Sequence, residues 1–183
     1  MIIGLTGRVG SGKTTAQEII ESIWHPVMID LDIIGHQQLD SNQEKLVPIF
    51  GSQILNHKNK IDRKILGNIV FNSYNELQKL NALIHPKIRH HVLNLIQKNH
   101  DQDILIVGAL IEEIGLLSQC DHIILIEADD KDILEHIGSK YTQIASFQRA
   151  QNQYRQNANT IIQNTFNTRF KDSILLHVSK LFQ

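Results

Sequence analysis

Five short apolar runs punctuate the chain: MIIGL (1–5), PVMID (26–30), DILIVGAL (103–110), DHIILIEA (121–128) and ANTIIQN (158–164). Runs this short and nearly continuous predict strands buried on both faces, and helical spacings between them, as in TTAQEIIESIW (14–24), predict crossover helices. The expected fold is therefore α/β: a three-layer sandwich around a five-stranded, mainly parallel sheet. One stretch breaks the rhythm. From about residue 40 to 100 the patterns NQEKLVPIF, RKILGNIVF, YNELQKLNALIH and PKIRHHVLNLIQK are all helical, with a break expected before Pro86. This predicts a single domain with its core at about 1–40 and 101–183 and a helical insertion at about 41–100, a natural place to hold a second substrate.

Composition narrows the function. The 183 residues carry 18 Lys and Arg against 19 Asp and Glu, scattered along the chain, which argues against a nucleic-acid backbone as partner and favours small anionic ligands. The single cysteine, Cys120, forms no internal disulfide and reads as a small buried hydrophobe ahead of a strand. Ten histidines lack zincin spacing, and RHH at 89–91 reads as a solvated helix face, so no structural zinc is expected. No apolar run approaches the roughly 18 to 20 residues that span a bilayer. A cytoplasmic protein with no membrane or nucleic-acid partner, monomeric or weakly homo-oligomeric, is the expectation.

The chemistry begins at GRVGSGKTT, residues 7–15. It contains G-x-x-x-x-G-K-[ST], in which glycines let backbone N–H groups turn toward a polyphosphate, Lys13 adds a point charge and Thr14 offers a hydroxyl to Mg²⁺. A predicted strand before it and a predicted helix after it supply the context that a phosphate loop requires. The expected ligands are a nucleoside triphosphate and Mg²⁺. The fold expected is thus that of a P-loop NTPase.

The motif alone does not separate GTPases, motor ATPases and small-molecule kinases. NKID at 59–62 matches the guanine-reading N-K-x-D, but it follows no buried strand and no D-x-x-G precedes it, so it reads as coincidence. In MIDLDIIGH (28–36) the second strand ends at Asp30 and Asp32, where the carboxyl edge of an open sheet faces its ligand. One carboxylate could accept a proton from an attacking hydroxyl and one could help position Mg²⁺. Alternatively both are turn or capping residues, Asp32 standing directly before IIGHQQL.

Over nearly its whole length the chain resembles the dephospho-coenzyme A kinases. The likeness runs through IGLTGRVGSGKTT, IDLDIIGH, FGSQIL, KIDRKILGNIVF, LNALIHPKI, CDHIILIEA and ANTIIQN; IDRKILGNIVF (61–71) and LNALIHP (80–86) are its specific parts. The resemblance implies transfer of the ATP γ-phosphoryl group to the ribose 3′-hydroxyl of dephospho-coenzyme A, the last step of coenzyme A synthesis, with dephospho-coenzyme A as small-molecule partner. It implies ATP as the triphosphate, its phosphates held by Gly10, Ser11, Gly12, Lys13, Thr14 and Thr15, with Asp32 as general base, Lys13 as a catalytic cation, and Asp30, Arg63 and His85 as acceptor-binding candidates. His85 also reads as a helix terminus before Pro86.

Three departures from the family pattern stand out. Arg8 occupies a position that is usually glycine, and is harmless with ordinary backbone angles and a solvent-directed side chain. VGALIEE (107–113) replaces V-P-L-L-F-E but keeps Glu112. A short lid is implied at about 131–157, where arginines four apart give way to His136 and Lys140. Arg149 and Arg155 remain; Arg149, in an R-x-x-x-Q with Gln153, is the expected lid cation, because a guanidinium fork fits phosphate oxygens better than an ammonium. A related kinase for another nucleotide-like acceptor, or an ATP-binding homologue of reduced activity, is the alternative.

Overall fold

The structure, a computed structural model, describes residues 1–138, 148 and 150–182. The chain divides into two compact units, Met1–Leu31 with Leu95–Gln183, and Asp32–Asn94.

The first unit is built on a five-stranded sheet of β1 (Ile2–Thr6), β2 (Val27–Asp30), β3 (Ile104–Val107), β4 (His122–Glu127) and β5 (Thr160–Gln163), in the order β2-β3-β1-β4-β5. All neighbouring pairs are parallel, so every strand ends at the same edge. In register, Ile3 faces Leu105, and Leu5 faces both Val107 and Ile124. These side chains and Ile126 and Ile162 share one face with Ala16 and Ile20 of α1 (Lys13–Trp24) and with Phe170, Ile174 and Val178 of the last helix, Thr168–Ser179. All four residues of β3 are buried, the mark of a strand covered on both faces. Two further helices of this unit are Asp130–Ile137 and Gln151–Gln156.

The strand expected to reach residue 110 stops at Val107. At Gly108 the backbone passes so close to Leu31 that a Cβ would lie 2.7 Å from the Leu31 Cβ, and the chain then turns. Cys120 is half-buried, its thiol donating to the Leu116 carbonyl at 3.5 Å.

The second unit is helical: α2 (Leu31–Ser41), α3 (Gln43–Phe50), α4 (Arg63–Val70) and α5 (Tyr74–Lys98). Here the expected break before Pro86 does not occur. Pro86 lies inside one 25-residue helix. The lost N–H and the ring clash cost about 3 kcal/mol, a price outweighed by burying Ile84, Ile88 and Val92 at four-residue spacing along a continuous stripe. In order, therefore, the helices of the whole described chain are α1 to α5, α6 (Asp130–Ile137), α7 (Gln151–Gln156) and α8 (Thr168–Ser179).

NKID forms a turn and a helix cap. Asn56 Oδ1 accepts from the N–H groups of Lys58 and Lys60, Asn59 adopts φ 57°, and the Asp62 carboxylate accepts from the N–H groups of Lys64 and Ile65 at the head of α4. That is local turn chemistry.

Candidate active site

At the carboxyl edge of β1 the chain passes through Gly7 to Gly12 before entering α1. Gly7, Gly10 and Gly12 have φ of 148°, 76° and 99°, angles that L side chains rarely adopt. Space forbids a side chain as well: a Cβ on Gly7 would strike the Ile126 carbonyl, and one on Gly12 the Asn164 amide. Gly12 is the N-cap of α1 and brings no side-chain acceptor, and the first turn holds no acidic residue. The positive end of the helix therefore faces the loop undiluted, an arrangement that suits an anion.

Lys13 Nζ donates to the carbonyls of Gly7 and Arg8 at 2.8 and 2.9 Å, folding the ammonium over the start of the loop. Thr14 and Thr15 are exposed at the head of α1. Ser11 is different: its N–H donates to the Arg8 carbonyl, its own carbonyl accepts from Asn164, and its buried hydroxyl has no hydrogen-bond partner among the described residues. That hydroxyl lines a cavity of about 10 Å³, space for roughly one water, beside Glu127 and Tyr154. Arg8 has no positive φ, as expected of a tolerated side chain. It does not point into solvent, however; it is 16% exposed and pairs with Asp130 at the head of α6 at 2.8 Å.

Beside the loop opens a pocket of about 280 Å³ lined by Gly12, Thr15, His136, Asn164, Phe166 and Phe170, among others. His136, near the end of α6, and Phe166 stack with ring centroids 3.9 Å apart and planes 18° from parallel. Phe166 has φ 54°, an uncommon angle for an aromatic residue, and is held there by its N–H donating to Asn164 Oδ1. The two rings touch, so they leave no gap between them; what the pair offers the pocket is an aromatic surface beside Thr15, Asn164 and Asn167, a mixed lining that suits a nucleobase stacking on its outer face.

The remaining candidates fall as follows. Asp30 ends β2; Asp32 is the second residue of α2, exposed in the helix's first turn, so it is not the N-cap considered from the sequence. Arg63 opens α4 and pairs with Asp40 at 3.3 Å, beside an open polar pocket of about 370 Å³ shared with Asn56, Lys60 and Asp62. His85 lies within α5, not at its end, and burial holds its imidazole below the ordinary range. Glu112 accepts from Asn157 Nδ2 at 2.6 Å. Lys140 and Arg149 lie outside the described residues. Gln153 serves its own helix, Oε1 accepting the Ala150 N–H, and Arg155 forks onto Glu127, Nε and Nη2 meeting the two carboxylate oxygens at 2.7 and 2.6 Å.

Two groups were missed from the sequence. Asn164 was visible only as the last letter of ANTIIQN, and the His136–Phe166 pair had no signal, since nothing local ties residues so far apart.

The sequence profile of dephospho-CoA kinase matches residues 1–169. The chain is 38% identical over 146 residues to the dephospho-CoA kinase of Borreliella burgdorferi, covering 80% of this chain and 71% of that one. The crystal structure of a Thermus thermophilus protein shares the fold with a TM-score of 0.82 at 22% identity, covering 100% of this chain and 98% of that one. A dephospho-CoA kinase from Campylobacter jejuni superposes with a TM-score of 0.71 at 26% identity, covering 98% and 96%. A phosphate loop on a parallel sheet, followed by a helical unit and matched over 169 residues, places the molecule: the chain belongs to the dephospho-CoA kinase family.

Proposed function

We infer that the protein transfers the γ-phosphoryl group of ATP to the ribose 3′-hydroxyl of dephospho-CoA, giving CoA and ADP. One observation carries this: a single family match covers both the phosphate loop and the helical unit Asp32–Asn94, the stretches expected to serve ATP and the acceptor. In this reading Gly10 to Thr15 hold the triphosphate, and Lys13 neutralises charge on the phosphoryl group in transit. The Asp32 carboxylate takes the proton of the ribose hydroxyl as its oxygen bonds to phosphorus and the bond to the ADP oxygen breaks. Asp30, Arg63 and His85 belong to acceptor binding in the same proposal, with the insertion at about 41–100 as its seat and about 131–157 as the lid.

The exposed Thr14 hydroxyl and the carboxylate at the end of β2 are hard oxygen donors, the kind Mg²⁺ accepts. Thr14 would hold the ion with the ATP phosphates, and the ion would supply charge neutralisation. The pocket beside the stacked His136 and Phe166 is proposed for adenine. A cytoplasmic setting and a monomer or weak homo-oligomer complete the proposal.

The test is ATP consumption with and without dephospho-CoA, with the product identified by mass. Turnover only with dephospho-CoA, yielding a 3′-phosphate, supports the reading; turnover indifferent to the acceptor overturns it. Asp32→Asn, which keeps size but accepts no proton, is expected to lower kcat by roughly 10² to 10⁴ while ATP binding persists.

A further inference from the structure

The peptide unit joining Arg8 to Val9 is held from both sides. Its carbonyl accepts from Lys13 Nζ at 2.9 Å and from the Ser11 N–H at 3.2 Å. Its N–H, on Val9, donates to the side-chain oxygen of Gln148 at 2.8 Å, from a residue 139 positions away. In a trans peptide the C=O and N–H point in opposite directions, so fixing one fixes the other. The flanking side chains are seated too: Arg8 on Asp130, and Val9 against the buried pair Ala128 and Ile133.

We propose that Gln148 is a positioning residue for the phosphate-binding lysine: by accepting the Val9 N–H it sets the peptide plane whose carbonyl holds the Lys13 ammonium. Gln148 touches neither Lys13 nor the phosphates in this role. It acts through one peptide, keeping the ammonium over the loop before ATP arrives, so that less ordering remains to be done on binding. Without that acceptor the peptide is free to rotate, and Lys13 loses the Arg8 carbonyl as an anchor. The role of Lys13 in binding ATP rests on the function proposed above; its anchoring does not.

The experiment therefore has two arms. Gln148→Met keeps bulk without a strong acceptor, and Gln148→Ala opens the same N–H to water; both are compared with the wild-type chain. In the first arm, without nucleotide, lysines are acetylated competitively and read by mass spectrometry, with exposed Lys64 as internal reference. Lys13 should label at least about threefold faster in both variants, the release expected from losing one hydrogen bond. In the second arm the ATP dissociation constant, measured by calorimetry, should rise about five- to tenfold. Unchanged Lys13 labelling in both variants overturns the proposal, whatever happens to affinity, because a merely structural glutamine would leave the ammonium anchored. Faster labelling with no ATP binding by the wild type would uphold the anchoring and overturn the nucleotide reading instead.

Discussion

Asn164 and Ser11, 153 residues apart, are joined by a hydrogen bond of 2.9 Å from the Asn164 amide to the Ser11 carbonyl, so the end of β5 pins the middle of the phosphate loop. Asn164 is buried, its Oδ1 accepts from the Phe166 N–H, and its backbone N–H donates to the Glu127 carbonyl at 2.6 Å. Asn164→Asp retains the acceptor toward Phe166 but loses the donor toward Ser11. Its KM for ATP should rise about tenfold. Equal ATP kinetics for wild type and Asn164→Asp would sink the idea that this contact shapes the loop.

The His136–Phe166 stack is worth testing by a ring swap. Removing one ring of a stacked pair that presents its face to a base forfeits about 0.5–1.5 kcal/mol, or roughly two- to tenfold in affinity. His136→Ala should raise KM for ATP by that factor with little change in kcat, and His136→Phe should restore most of it. A variant whose kcat falls while KM holds would instead place His136 at the transferring phosphate.

Glu127 is buried at the end of β4, and its fork to Arg155 is the contact that compensates its charge. A guanidinium so committed ties α7 to the sheet. Arg155→Met strands a buried carboxylate and should lower the melting temperature by several degrees, about the size seen for an uncompensated buried group. The double variant Arg155→Met with Glu127→Gln should recover part of that loss. Additive losses would mean that the pair is not the source of the effect.

His85 and His122 set the acid limb of stability. Burial lowers both imidazoles from the ordinary 6.5, and His122 Nε2 shares a 2.8 Å hydrogen bond with Thr160 Oγ1 across β4 and β5. The unfolded chain takes up protons near 6.5 and the folded chain resists them. Below that value the unfolded state binds more protons, so stability is complete above about pH 6.5 and falls as the pH drops toward the folded values. Urea midpoints at about pH 7.5 and about pH 5.5 test this, above the range where carboxylates titrate. His85→Gln and His122→Gln should each shrink the drop; three identical drops would assign it elsewhere.

The phosphate loop was readable because its determinants are local. Positive-φ glycines at 7, 10 and 12, a lysine and a hydroxyl at fixed offsets, and an apolar run before them specify a strand, turn and helix without help from the rest of the chain. The five strands were readable for the same reason, since burial on both faces writes itself as a continuous apolar run. What remained hidden depends on residues distant in sequence. Strand order β2-β3-β1-β4-β5, the seat of Arg8 on Asp130, the Asn164 pin, the Gln148 contact and the His136–Phe166 stack each join positions whose local patterns carry no trace of one another. Pro86 is the sharpest case. Its local preference ends a helix, yet the apolar stripe through Ile84, Ile88 and Val92 keeps α5 whole, because packing energy gathered along 25 residues outweighs the penalty at one.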